Sequence, residues 1–274
     1  MRVFFEKANK RAFAISHCIG FTLIELLTVV TIVAILSGLL LTAVNRARAK
    51  GDQVACINNL RQLQTAWTMY IDDHAGSVPE NYADLKRGVW RSSLTSWTGP
   101  SSAPRDADHF AIQQGAFCRS GYIRAPATFR CPGDDSTIRP RNNQRAETPR
   151  TRSYSMNGNF GGRPDDAQTV LRIEKQLPNA SGIFVFVDEH EDSIDDGHFL
   201  VWSAPDRRWV NMPTGRHQQG GTLSFADGHV ERWGWKWPKR YEKSVEYWKP
   251  AENNQDLQDL RRLQSAILHL QQLQ

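Results

Sequence analysis

Three residues late in the chain have the types a metal site or a catalytic pair would need. Asp188 closes the apolar run "IFVFV", and nine residues separate His217 from the dipeptide Asp227-Gly228. Brought together, Asp188, His217 and Asp227 would offer two carboxylates and an imidazole to a divalent cation. Calcium prefers oxygen ligands, so the histidine points to a transition metal instead. The segment "HEDSIDDGH" (190–198) is rich enough in aspartate to hold Ca2+ by itself. The default reading of all these residues is structural: Asp227 caps a tight turn, and His217 bonds a nearby backbone group or carboxylate. A hydrolase built on Asp188 and His217 lacks a nucleophile elbow, and Ser224 has only closeness in sequence to offer, so no enzyme is expected.

A second chemical oddity lies near the start. Leu26–Val44 holds 19 residues without a charge, and Glu25 stands just before it. As a helix this run spans about 29 Å, close to the roughly 30 Å hydrocarbon core of a bilayer. Only a helix satisfies its own backbone there, so one transmembrane helix is expected. A carboxylate beside lipid is costly. Either it reaches the headgroups, or it pairs with a positive group once the helix leaves lipid and packs on its own kind.

The elements that must carry these residues follow from periodicity. Val54, Ile57, Leu60, Leu63, Trp67 and Tyr70 recur at spacings of three and four, which extends the helix to about residue 74 with one apolar stripe. Gly76 and Pro79 stop it. Residues 76–170 are rich in Gly, Pro, Ser and charge, and "RPRNNQRAETPRTR" (139–152) reads as an exposed polar loop. "IFVFV" suits a central strand. "GGTLSFADGHVERWGW" reads as a β-hairpin turning at Asp227-Gly228. Trp233, Trp235 and Trp237 alternate, as core residues or as a stacking platform for sugars or a subunit. Leu257, Leu260, Leu263, Ile267, Leu270 and Leu273 mark one face of a C-terminal amphipathic helix.

The chain has 274 residues and a net charge of +5. Residues 1–20 hold Arg2, Lys7, Lys10 and Arg11 against Glu6, leaving 30 basic and 28 acidic residues beyond them. The basicity is thus mostly a targeting segment, and no nucleic-acid partner is expected.

"GFTLIELLTVVTIVAILSGLL" resembles the class III signal of type IV prepilins and type II secretion pseudopilins. The resemblance implies cleavage after Gly20 by a prepilin peptidase and N-methylation of Phe21 by the same enzyme. It implies that Glu25 neutralises the N-terminal amine of a neighbouring subunit. It places the protein in the inner membrane as a single-pass chain, its head extracytoplasmic in the periplasm or in an extracellular filament. There disulfides are allowed. Cys118 and Cys131 enclose a short loop and are the candidate pair; three free thiols are the alternative. Cys56 reads as a small buried apolar residue.

The spacing from His217 to Asp227-Gly228 resembles the H-X9-DG motif of a subset of prepilin-like proteins. "CINNLRQL" (56–63), "FRCPGD" (129–134), "SYSMN" (153–157) and "VDEH" (187–190) are similar to the same subset.

The expected fold is α+β and pilin-like: a long N-terminal helix on an antiparallel β-sheet head. The expected division is leader 1–20, assembly helix 21–75, head 76–250 and C-terminal helix 251–274. The leading function is a structural subunit that polymerises with other pilin-like subunits into a pilus or secretion pseudopilus. The alternative is a membrane-tethered module binding polysaccharide or secreted cargo.

Overall fold

The computed structural model describes residues 22–81, 83–86, 89–92, 96–100, 102–103, 109–138, 147–162, 169–173, 177–241 and 248–268. Gly20, Phe21, Leu270, Leu273 and most of the expected polar loop lie outside them. The chain divides into two units at Ala47/Arg48.

Helix α1 runs Leu23–Asp73, as the apolar run and its stripe require. In the first unit every described side chain is exposed, from Leu23 through Val44. A helix whose described apolar side chains are exposed all round is built for lipid or for like helices. The helix ends where Ala75 and Gly76 take positive φ (52° and 88°). There the Gly76 N–H donates back to the Ile71 carbonyl at 2.8 Å. A Cβ on Gly76 would stand 2.5 Å from the Ile173 carbonyl oxygen, so glycine is required there.

In the second unit, β1 (Ala83–Lys86), β2 (Val89–Ser92) and β3 (Ser102–Ala103) form a small antiparallel sheet. Two short helices follow, α2 (His109–Gln114) and α3 (Ala116–Arg119). β4 (Thr137–Ile138) pairs with β5 (Thr148–Pro149). The main sheet contains β6 (Tyr154–Asn157), β7 (Phe184–Asp188), β8 (His198–Phe199), β10 (Gly220–Phe225) and β11 (Val230–Gly234). Its order is β11-β10-β7-β6-β8, antiparallel except for the parallel β6–β8 pair. β9 (Arg208–Trp209) pairs with β12 (Lys249–Pro250), and α4 covers Asn254–Gln264.

The α+β expectation is met, with one addition. β7 is buried along its whole length because both faces of the sheet are covered. On one side Val185 and Phe186 join Cys56, Leu60, Leu63 and Trp67 of α1. On the other, Phe184 and Val187 join Leu223, Trp233, Leu260, Leu263 and Ile267. The C-terminal helix is therefore a layer of the head, not an appendage. It ends at Gln264 rather than continuing over residues 265–268, and Asn253 caps it by accepting from Gln255 and Asp256 N–H at 2.9 and 3.0 Å. The α1 stripe also shifts: Val54 is exposed, and the buried face starts at Cys56.

The polar loop was expected to be exposed, yet its C-terminal end is not. Arg150 and Arg152 are buried, and the Arg152 guanidinium donates to the Tyr154 carbonyl and Ser155 Oγ at 2.8 and 2.9 Å. Of the three alternating tryptophans, Trp233 and Trp235 are core; Trp237 is half-buried and donates to Glu252 at 2.7 Å.

A buried cation fastens α4. Lys239 Nζ lies 2.7 Å from Asp256 and 2.8 Å from Asp259, with all three side chains essentially inaccessible. Removing the cation strands two buried carboxylates. Lys239→Met is expected to cost about 3–5 kcal/mol of stability. Urea unfolding of the detergent-solubilised protein, followed by tryptophan fluorescence, measures it. An unchanged midpoint would show that the two carboxylates need no cation.

Candidate functional site

Two places carry chemistry. The first is the start of α1. Thr22 is the residue before the first helical position, and Glu25 lies three further on. The Thr22 N–H and Oγ1 donate to Glu25 Oε2 at 2.9 and 2.6 Å, and the Glu25 N–H donates back to Thr22 Oγ1 at 3.3 Å. This is a capping box, in which two orphan donors of a helix start are satisfied reciprocally. Sequence reasoning gave Glu25 a partner in another subunit and missed this partner in its own turn. The T-x-x-E spacing was the available signal.

The second place is buried in the head. Cys56 faces inward from α1. Cys131 follows the 3-10 turn Pro126–Phe129, Asp188 ends β7, and His217 precedes β10. One ligand atom from each lies within 4.8 Å of all the others, and all four residues are buried. Cys56 Sγ is 3.6 Å from Asp188 Oδ2, His217 Nε2 is 3.4 Å from the same oxygen, and Cys131 Sγ is 3.1 Å from His217 Nε2. Tyr154, paired with Asp188 across β6 and β7, donates its hydroxyl to Cys56 Sγ at 3.3 Å. The Arg216 guanidinium binds the other oxygen of Asp188, Oδ1.

The local folding that delivers His217 is unusual. Gln218 and Gln219, directly after it, both have positive φ (53° and 54°). For non-glycine residues such a conformation costs about 1–3 kcal/mol each. The surrounding structure holds it: Arg232 Nε donates to the His217 carbonyl at 2.6 Å, and the Trp235 N–H to the Gln219 carbonyl at 2.8 Å. Gly133 closes the cluster from outside; a Cβ there would lie 3.5 Å from His217 Cε1 and 3.9 Å from Cys131 Sγ.

The electrostatics are those of a coupled buried group. Burial works to lower the His217 pKa, but hydrogen bonds to Asp188 and Cys131 overcome it and raise the value to about 9. The Cys131 thiol is pushed far up by its hydrogen bond to Cys56 and by burial. Asp134 is opposed by burial, yet Arg216, Ser136 and Ser153 hold its carboxyl below the usual range. Next in chain to Asp188, the fully enclosed Glu189 is pushed up to about 8 by burial, even though Ser155 and Ser193 hydroxyls donate to it.

Of the three residues expected to converge, Asp188 and His217 do so. Asp227 does not: it sits in the β10–β11 turn, where its Oδ1 accepts from the His229 N–H at 3.1 Å. The Phe225 N–H bonds the His229 carbonyl, and Gly228 has φ +98°, so Asp227 follows its turn-capping reading. The Cys118–Cys131 bridge is not formed. Cys118, on α3, is a free, half-buried thiol pushed up to about 11 by burial, and Cys131 faces Cys56 and His217 instead. Cys56 is buried as expected, but as a polar partner rather than an apolar filler.

Ser224 is a tie between layers, donating to Gln64 of α1 at 2.8 Å. In 190–198, Asp195 and Asp196 accept from N–H groups one and two residues ahead instead of converging. The segments "CINNLRQL", "FRCPGD", "SYSMN", "VDEH" and the one holding His217 each send one side chain to this cluster or its edge: Cys56, Cys131, Tyr154, Asp188 and His217.

Residues 15–41 match the family model described as the prokaryotic N-terminal methylation motif. No curated protein and no solved structure matches the chain. The matched segment spans the first described turns of α1, a helix long and apolar enough to cross a membrane. The chain thus carries the N-terminal signal of prepilin-like proteins, on a helix suited to anchoring it in a membrane.

Proposed function

We propose that this protein is a non-enzymatic, prepilin-like subunit that a prepilin peptidase cleaves after Gly20 and methylates on Phe21. It then leaves the inner membrane to polymerise with similar subunits, its head outside the cytoplasm. One observation carries the reading: the methylation motif lies on a helix half whose apolar side chains, Leu23 to Val44, are exposed all round. Such a surface needs lipid before assembly and other helices after it. Packed on the head, Leu60, Leu63 and Trp67 hold the rest of the same helix. Chemical crosslinking in intact cells tests the polymer. A ladder of multimers is expected, and a monomer alone would remove the filament.

A second reading, a tethered binding head, has one feature in its favour. A cleft of about 640 Å3 is lined by Asp134, His190, Glu191 and Arg216 among others. It suits a polar ligand. The sugar-stacking platform imagined for the tryptophans loses two members to the core, Trp233 and Trp235.

A further inference from the structure

We infer that Cys56, Cys131, Asp188 and His217 form a structural zinc site that locks helix α1 to the sheet of the head. The inference goes beyond assembly and does not depend on it.

The donor set is the first reason. Two sulfurs, an imidazole and one carboxylate oxygen make a four-ligand set of the kinds zinc takes. Thiolates disfavour calcium and magnesium, which take oxygen.

The spacing is the second. In a tetrahedral site with bonds of about 2.0–2.3 Å, ligand atoms stand roughly 3.3–3.8 Å apart. Three of the six edges, 3.6, 3.4 and 3.1 Å, are close to this. The same Asp188 oxygen faces both Cys56 and His217, and the same His217 nitrogen faces both Asp188 and Cys131. The remaining edges are all within 4.8 Å, so a small inward adjustment would close the four donors on one ion.

The surroundings are the third. Two thiolates, a carboxylate and a neutral imidazole around Zn2+ leave one negative charge. Arg216, on the far oxygen of Asp188, supplies one positive charge, and the Tyr154 hydroxyl donates to Cys56 Sγ. Outer partners of this kind orient ligands and hold them in their binding state. On binding, the two thiol protons and any proton on His217 Nε2 leave to solvent, and no oxidant or reductant is needed.

The consequence is mechanical. Cys56 belongs to α1, and the other three donors come from separate segments of the head. One ion would fasten the assembly helix, through Cys56, to three segments of the head. A closed, fully buried set has no open position for a substrate, so the role is structural rather than catalytic.

The test uses the full-length protein, extracted in detergent from cells grown with zinc. Elemental analysis and native mass spectrometry should find about one zinc per chain, with Cys56 and Cys131 as unmodified thiols after denaturation. Cys131→Ser and His217→Ala should each lose the metal, while Cys118→Ser should keep it. Should those two variants fail to fold, cobalt exchange into the wild type decides. Tetrahedral cobalt with thiolate-to-metal charge-transfer absorption is expected. Metal-free wild-type protein, a Cys56–Cys131 disulfide, another metal in place of zinc, or zinc retained by folded Cys131→Ser would each overturn the assignment.

Discussion

Glu25→Leu is expected to insert and to be cleaved as the wild type is, yet to be absent from assembled filaments. Glu25 has two jobs in the proposed account. Within its own chain it closes a capping box with Thr22 through Oε2. Among the described residues no donor meets Oε1. Between chains it would meet the amine of a neighbouring Phe21. In a helical core of low dielectric, that pair attracts strongly only when each charge finds the other. An amine left alone would oppose addition of the next subunit.

A leucine removes both jobs, so a second variant separates them. Glutamine also serves as the third residue of a capping box. Glu25→Gln should therefore keep the helix start and lose only the charge. If charge pairing drives assembly, Glu25→Gln should fail almost as fully as Glu25→Leu. Glu25→Asp, one methylene shorter, should assemble weakly. Pelleting or crosslinking, with each variant expressed at the wild-type level, gives the comparison. Normal assembly by Glu25→Gln would reduce Glu25 to a helix cap.

Much of the frame was legible because it rests on local periodicity. The uncharged run Leu26–Val44 and the stripe through Leu60, Leu63 and Trp67 define α1 within a residue or two of its observed bounds. Asp227-Gly228 announced the β10–β11 turn because glycine there needs a positive φ. The strands that escaped notice, such as β4 and β5, are two residues long and have no period to display.

The buried cluster was half legible for a different reason. Asp188 and His217 stood out by type, but what joins them to Cys56 and Cys131 is tertiary. Closeness in sequence favoured Cys118 for Cys131, since a short loop is easy to close. The fold instead carries Cys131 to Cys56, which α1 presents from its inward face. Asp227 misled because one residue type serves both as a ligand and as a turn cap. The positive φ of Gln218 and Gln219 has no sequence signal at all, since glutamine does not favour it.

The other large effect concerns processing. Glycine has no Cβ, and the resemblance places the scissile bond after Gly20. Gly20→Val is expected to leave essentially all of the protein as precursor, still in the membrane. Its leader of 20 residues adds about 2.3 kDa at the chain's average residue mass, a shift visible on a gel. An uncleaved chain would also lack the amine that Glu25 is proposed to meet, so Gly20→Val should fail to assemble.

Mass spectrometry of the N-terminal peptide of wild-type protein extracted from membranes tests directly whether the chain is processed as a prepilin. A chain that begins at Phe21 and carries one methyl group on its amine is the expected result. A chain that keeps residues 1–20, or one cut beyond the apolar run with Leu26–Val44 removed, would contradict it.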